Sequence, residues 1–250
     1  MVDRVVRVIA AFPDGVSRLR LSELAARADL PLTTAHRLVR QLATHGLLDL
    51  DGDGSVRLGL RLWELVNRNS PTLLLRQAAM PFMEDIQHVL NQNVNLAVLD
   101  GWEVLFVERL SRRGSVANRA QIAGRMPVHV SSAGVALMAH QPHELQAEYL
   151  AHFKDPAGRL NAAGMRSLLA DAKREGYAQL AGVVDPEAWA IAVPILGRRK
   201  RAVAAIGVVV PLREMRLQAL VPALQTAARG IARQLGEAQD GRRFRSMEDV

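Results

Sequence analysis

The chain has 250 residues, room for one large or two modest domains, each with its own core. It has no cysteine, which excludes disulfides and thiolate metal sites, and no apolar run that could cross a membrane. Net charge is +7, from 29 Arg and 3 Lys against 25 acids, but residues 1–70 hold only 10 Arg against 8 acids (+2), so net charge does not locate a polyanion site.

Val2, Val5, Val6, Ile9 and Phe12 recur at helical spacing and predict the first helix of a three-helix core. This start is charged and amphipathic, not a signal sequence, and a cytoplasmic chain is expected. Leu21-Ser22-Glu23-Leu24-Ala25 opens a second helix. A third runs from Leu32 to about His45, with Leu32, Ala35, Leu38, Val39 and Leu42 on one side. The opposite side carries Thr33, His36, Arg37, Arg40 and Thr44, flanked by Thr34 and Gln41. Short hydroxyls followed by long cationic donors suit a helix that enters a DNA groove by its N-terminal end. Leu48-Asp49-Leu50 and Ser55-Val56-Arg57-Leu58 flank Asp51-Gly52-Asp53-Gly54, a tight hairpin with glycines at its tip. Helix-turn-helix plus hairpin is a winged helix, and Arg57 is placed for a phosphate contact. The acidic tip, Asp51 and Asp53, argues against insertion into the minor groove.

At this point Val2-Asp3-Arg4, Leu21-Ser22-Glu23-Leu24-Ala25, Leu30-Pro31-Leu32-Thr33-Thr34-Ala35-His36-Arg37-Leu38 and Arg57-Leu58-Gly59 resemble the IclR family of bacterial transcriptional regulators. The resemblance implies a winged-helix DNA-binding domain, a linker helix and a ligand-sensing domain. It further implies a homodimer or a dimer of dimers, with two recognition helices for a palindromic operator.

Residues 60–68 read as a short amphipathic helix, ended at Ser70-Pro71, where the domain boundary falls. Trp63 is expected to pack this linker against a partner or its own domain. From Thr72 to Leu90 the pattern is helical again, with Leu73, Ala79, Met83, Ile86 and Leu90 on one face. The period then changes to two: Val94, Leu96 and Val98 alternate up to Asp100-Gly101, and Trp102–Glu108 follows, a strong hairpin signal. Residues 189–196 and 201–210 are further strands around the turn Gly197-Arg198-Arg199-Lys200. Helices are expected near 132–140, 143–153, 162–176 and 215–236.

The fold expected is therefore α+β: a winged helix-turn-helix domain (1–59), a linker helix (60–70), and a GAF-like sensor domain (71–236) with an antiparallel sheet and helices on one side. A flexible tail (237–250) completes the chain. Pieces of the second half also resemble the IclR sensor domain: Leu96-Ala97-Val98-Leu99-Asp100-Gly101, residues 124–134, Glu175-Gly176-Tyr177-Ala178 and Ile191-Ala192-Val193-Pro194-Ile195.

In many family members an acidic residue, a cysteine and two serines line an effector cavity for small hydrophilic acids. The resemblance places those positions at Leu180, Ala190, Gly207 and Val209. None offers a polar side chain here, so a flatter, more apolar ligand is expected, an aromatic or other hydrophobic carboxylic acid. Its anion would sit where Ser131-Ser132-Ala133-Gly134 opens a helix, with free N–H groups and the positive dipole end. One serine either adds a hydroxyl donor or caps the helix, and the two roles are compatible. Met126, Val130 and Trp189 complete the expected lining. A bulky residue at Gly207 is expected to fill this cavity.

Two other function classes fit the residues less well. An enzyme is disfavoured: there is no Gly-x-Ser-x-Gly elbow, phosphate loop or dinucleotide fingerprint. His129 and Ser131, two apart in an extended segment, point opposite ways. His140 and His143 straddle a helix break without a third ligand, so no metal or cofactor is expected. An architectural DNA binder without an effector is disfavoured by the large second domain.

Overall fold

The computed structural model describes residues 1–13, 15–111, 120–214 and 216–248, apart from the side chains of Asn69, Arg198 and 238–248. The expected helix start at Met215 and the last two residues of the expected tail lie outside that set. The chain forms two compact units, Met1–Pro71 and Thr72–Val250.

The first unit runs α1 (Val2–Ala10), β1 (Leu19–Arg20), α2 (Leu21–Arg27), α3 (Leu32–Thr44), β2 (Leu48–Leu50), β3 (Ser55–Leu58) and α4 (Leu60–Asn69). Its core unites Val8, Leu19, Leu24, Leu38, Val39, Leu42, Leu48 and Val56. In α1 the buried face differs from the expected one. Val8 is fully buried, while Val2 and Val6 are exposed. The helix ends at Ala10, so Val5 and Val8 pack with Ala11 and Phe12 from the turn that follows. Leu32 is 53% exposed, because the first residue of α3 has no preceding turn to pack over.

The wing is a three-stranded antiparallel sheet, ordered β1-β3-β2, with Leu48 opposite Leu58 and both Leu19 and Leu50 opposite Val56. The two-residue β1 is too short to carry a periodicity in the sequence. Gly59 closes the wing. A Cβ there would lie 2.2 Å from the Gly46 carbonyl oxygen. Its N–H donates to the Leu47 carbonyl at 2.9 Å. This position needs glycine for close backbone approach, not for a left-handed φ. On α4, Trp63 is 64% exposed and does not pack into its own domain.

The second unit runs α5 (Pro71–Leu90), β4 (Asn93–Asp100), β5 (Glu103–Leu110), β6 (Arg125–Pro127), a 3-10 turn (Val128–Val130), α6 (Ser132–Ala139), α7 (His143–Ala151), α8 (Ala162–Glu175), β7 (Ala178–Ala181), β8 (Ala188–Leu196), β9 (Ala202–Pro211) and α9 (Leu217–Glu248). The sheet is antiparallel, ordered β6-β5-β4-β9-β8-β7. Its edge strands β6 and β7 are three and four residues long, too short to register as alternation.

Helices cover both faces of this sheet, not one. On one face Ala79, Met83 and Ile86 of α5 and Leu224, Ala228 and Ile231 of α9 pack on Leu96, Ile191, Val193 and Ile206. On the other, α6 and α8 pack on Ala97, Ala178, Ala192 and Ala205. The cause is compositional. Ile191 to Ile195 and Ala204 to Val208 are buried without a break, so neither face is left to water. The last helix continues to Glu248 and does not stop near Gly236, so the expected tail is helical in backbone over that stretch. Among the described residues no helix is long and apolar enough to cross a membrane.

Candidate functional site

Two sites follow from this architecture. The first is the outer face of α3. Ala35, Leu38, Val39 and Leu42 hold the helix to the core. Thr33, Arg37, Arg40 and Gln41 are thereby exposed, and Thr34 and His36 are half-buried beside them. The Thr44 hydroxyl donates to the Arg40 carbonyl at 3.0 Å, so it serves the helix end. Arg37 and Arg40 form no ion pair among the described residues, whereas the wing's arginines do. Arg57 pairs with Asp51 at 2.9 Å, and Arg18 bridges Asp51 at 3.2 Å and Asp53 at 2.7 Å. Asp53 is held below the usual carboxylate range, chiefly by the Ser55 N–H. The acidic tip therefore braces its own wing. Arg18, just before β1, had no sequence signal linking it to the hairpin.

The second site is a cavity with about 610 Å³ of empty space, mouth included, on the α6 side of the sheet. Strand alternation builds its floor. Leu180, Ala190 and Val209 stand in register across β7, β8 and β9, and Ala192, Gly207 and Asn95 form the next row across β8, β9 and β4. All six line the cavity, with Met126, Val130, Ser131, Ser132 and Ala133 along the approach to α6. Ser131 caps that helix: its hydroxyl accepts from the Gly134 N–H at 3.4 Å. Ser131 thus both caps and lines. The Ser132 and Ala133 N–H groups have no acceptor within the helix, and both residues line the cavity.

Two expectations need correction. Trp189 does not line the cavity. It is 1% exposed and packs on the opposite face with α5 and α9, because its neighbours Ala188 and Ala190 take the cavity side. Gly207 is not an open position awaiting a larger side chain. A Cβ there would meet the Ile191 carbonyl oxygen at 2.6 Å and the Ala192 Cβ at 2.9 Å, so β8 fills the space first. Sequence reasoning also missed Asn95, Phe106, Ala120, Ala188, Ala192 and the loop residues Val183, Val184 and Asp185. Ala188 and Ala192 were within reach, two residues either side of Ala190. The loop has no periodicity to read.

A neighbouring groove shares Val130, Leu180 and Val183 with the cavity and holds His129, Asp155 and Arg159. His129 Nε2 lies 3.6 Å from Asp155 Oδ1, and Arg159 donates to the Val183 carbonyl at 2.8 Å. Burial pushes the His129 pKa down. Burial would raise Asp155, but the N–H groups of Ala157, Leu160 and Arg159 outweigh it and hold that carboxylate low. His129 thus faces Asp155 and Ser131 caps a helix, so these two side chains are engaged separately. Among the described residues no cluster of three or more histidines and acids could hold a metal ion.

Comparison with known proteins decides the family. The pattern described as bacterial transcriptional regulator IclR C-terminal matches residues 71–233, and the IclR helix-turn-helix domain matches residues 1–52. The chain belongs to the IclR family of bacterial transcriptional regulators. A crystal structure of an IclR homologue from Microbacterium hydrocarbonoxydans, complexed with 4-hydroxybenzoate, is 41% identical. It superposes with a TM-score of 0.87 over 94% of this chain and 99% of that one. Another IclR homologue, from Microbacterium sp. strain HM58-2, is 40% identical, with a TM-score of 0.60 over 94% and 97% of the two chains. The glycerol operon regulatory protein of Streptomyces coelicolor is 29% identical, covering 94% of this chain and 96% of its own. In the IclR frame α3 belongs to the helix-turn-helix DNA-binding domain, and the second unit is the effector-binding domain.

Proposed function

We propose that this IclR-family regulator binds a palindromic operator as a homodimer or dimer of dimers and answers to a small, mainly apolar, aromatic carboxylic acid. The observation that carries the effector reading is the row Leu180, Ala190 and Val209, carbon-only side chains facing one cavity beside the start of α6. Such walls reward a flat apolar body, and polar small acids would lose hydration there without recovering hydrogen bonds. The carboxylate belongs at the α6 N-terminus, where Ser132 and Ala133 offer unbonded N–H groups and the helix dipole is positive. The homologue at 41% identity was crystallised with 4-hydroxybenzoate, an acid of this class, which supports the reading. On the DNA side, Thr33, Thr34, His36, Arg37, Arg40 and Gln41 form the reading face. Arg57 keeps a place in the phosphate-contacting set only if it leaves Asp51.

Calorimetric titration of the full chain with benzoate-type acids and with glyoxylate and pyruvate tests the effector class. The aromatic acids are expected to bind and the two hydrophilic acids to bind more weakly or not at all. A preference for the hydrophilic pair would overturn the reading. Because a ligand bound only by the native state raises apparent stability, a thermal-shift screen gives the same answer independently.

A further inference from the structure

The turn Gly197-Arg198-Arg199-Lys200 joins β8 to β9 and takes no part in the two sites described above. Beside it opens a separate groove with about 1030 Å³ of empty space, mouth included. It shares no lining residue with the effector cavity, and α6 begins at that cavity and ends here, at His140. Lys173, Arg199, Lys200 and Arg201 line it, and among the described residues its lining holds no Asp or Glu. Cations near a helix C-terminus often serve the last carbonyls. At the end of α6 those carbonyls are already met. His140 Nδ1 lies 3.0 Å from the Ala136 oxygen, and the Gln141 side-chain amide donates to Leu137 at 3.1 Å. The Gln141 N–H donates to Met138 at 3.1 Å, and the Gln146 side-chain amide donates to Ala139 at 3.2 Å. Lys173, Arg199 and Lys200 form no ion pair among the described residues. Arg201 donates through Nε to the carboxamide oxygen of the buried Gln141 at 2.8 Å, which fixes its guanidinium at the groove. Arg199 and Lys200 hold left-handed φ angles of 59° and 56°, a conformation that glycine adopts more cheaply. Such strain is retained where the side chains it presents have a use.

We propose that this groove is a second ligand site, which takes a small, multiply charged phosphate compound. The cations come from α8, from the turn and from the residue before β9, so they reach an anion from several directions. A tetrahedral phosphate presents oxygens to all of them, whereas a planar carboxylate is satisfied by one bidentate arginine. The groove is recessed between α8 and the turn, which fits a compact anion better than the backbone of a duplex.

Calorimetric titration of the full-length protein with pyrophosphate and with citrate tests the site, at fixed ionic strength and without DNA or divalent cations. Pyrophosphate is expected to bind, and citrate, which spreads comparable charge over planar carboxylates, to bind more weakly. In the double variant Lys173→Gln, Lys200→Gln, pyrophosphate affinity is expected to fall at least about tenfold, the scale of one lost charge-assisted hydrogen bond. Both side chains are exposed, so the variant is expected to fold. Should it not, Lys200→Gln alone is expected to give a smaller loss in the same direction. Arg37→Ala is expected to keep pyrophosphate affinity, which separates this groove from the DNA-binding face. No binding of pyrophosphate, equal or tighter binding of citrate, or undiminished affinity in the folded variant overturns the proposal. A double variant that loses operator affinity in a protein that does not bind pyrophosphate would assign the groove to DNA and overturn it as well.

Discussion

Gly207 and Ala190 line one cavity but respond to substitution in different ways. At Gly207 even a methyl group must push β8 away from the Ile191 carbonyl. Gly207→Ala is expected to destabilise the sensor domain by about 1–3 kcal/mol, the usual cost of overpacking, read as a lowered thermal midpoint. Ala190 points into open space. Ala190→Leu is expected to keep the fold and DNA binding while abolishing ligand binding in calorimetry; retained affinity would remove Ala190 from the site. On α3, Arg37 stands exposed with no ion-pair partner among the described residues. Arg37→Ala should weaken operator binding by about 1–3 kcal/mol in a gel-shift titration if the guanidinium reads a base. An equal loss on random duplex would assign it to phosphate, and no loss would take it out of the interface.

At the scale of elements, acid sensitivity collects around α6. His129 precedes this helix in the 3-10 turn, and His140 follows its last turn with Nδ1 on the Ala136 carbonyl. Burial lowers both pKa values below the ordinary 6.5, and Lys173 pushes His140 the same way. The unfolded chain therefore takes up protons that the folded one refuses. Stability is full above about pH 6.5 and falls as pH drops through that value toward the lower folded ones. Asp155 adds a second loss below its ordinary value of 3.8, because its folded pKa is also lowered. Thermal midpoints between pH 7.5 and 5 are expected to fall, and less so in the double variant His129→Gln, His140→Gln; an unchanged slope would contradict this. The elements themselves were legible wherever length and period agreed. Ala35, Leu38, Val39 and Leu42 fix α3 from sequence alone, and Asp100-Gly101 marks the β4–β5 hairpin. The short strands β1, β6 and β7 were not, since pairing with a distant strand, not local pattern, makes them strands. In the cavity, the four positions inferred from family motifs reach the right face, whereas Trp189, expected to complete the lining, is one residue out of phase on β8. Asn95 and the 183–185 loop stayed hidden because cross-strand register and loop path are set by tertiary packing.

At the scale of the whole molecule, one recognition helix covers only half of a two-fold site, so light scattering at micromolar concentration is expected to give a dimer or larger. A monomer both free and on DNA would contradict that assembly. The two units then have to communicate: an acid held in one must change the affinity of the other for DNA. Such coupling typically amounts to about 1–3 kcal/mol, a change of about 5- to 150-fold in affinity, and it works in either direction. Its sign distinguishes release from recruitment without altering the claim. The most direct measurement is operator affinity of the full-length protein, titrated at fixed salt with and without saturating 4-hydroxybenzoate, benzoate, pyruvate and glyoxylate. The account predicts that an aromatic acid shifts the dissociation constant by at least about fivefold and that pyruvate and glyoxylate do not. An unchanged constant with every acid, or a shift confined to the two hydrophilic ones, would contradict it.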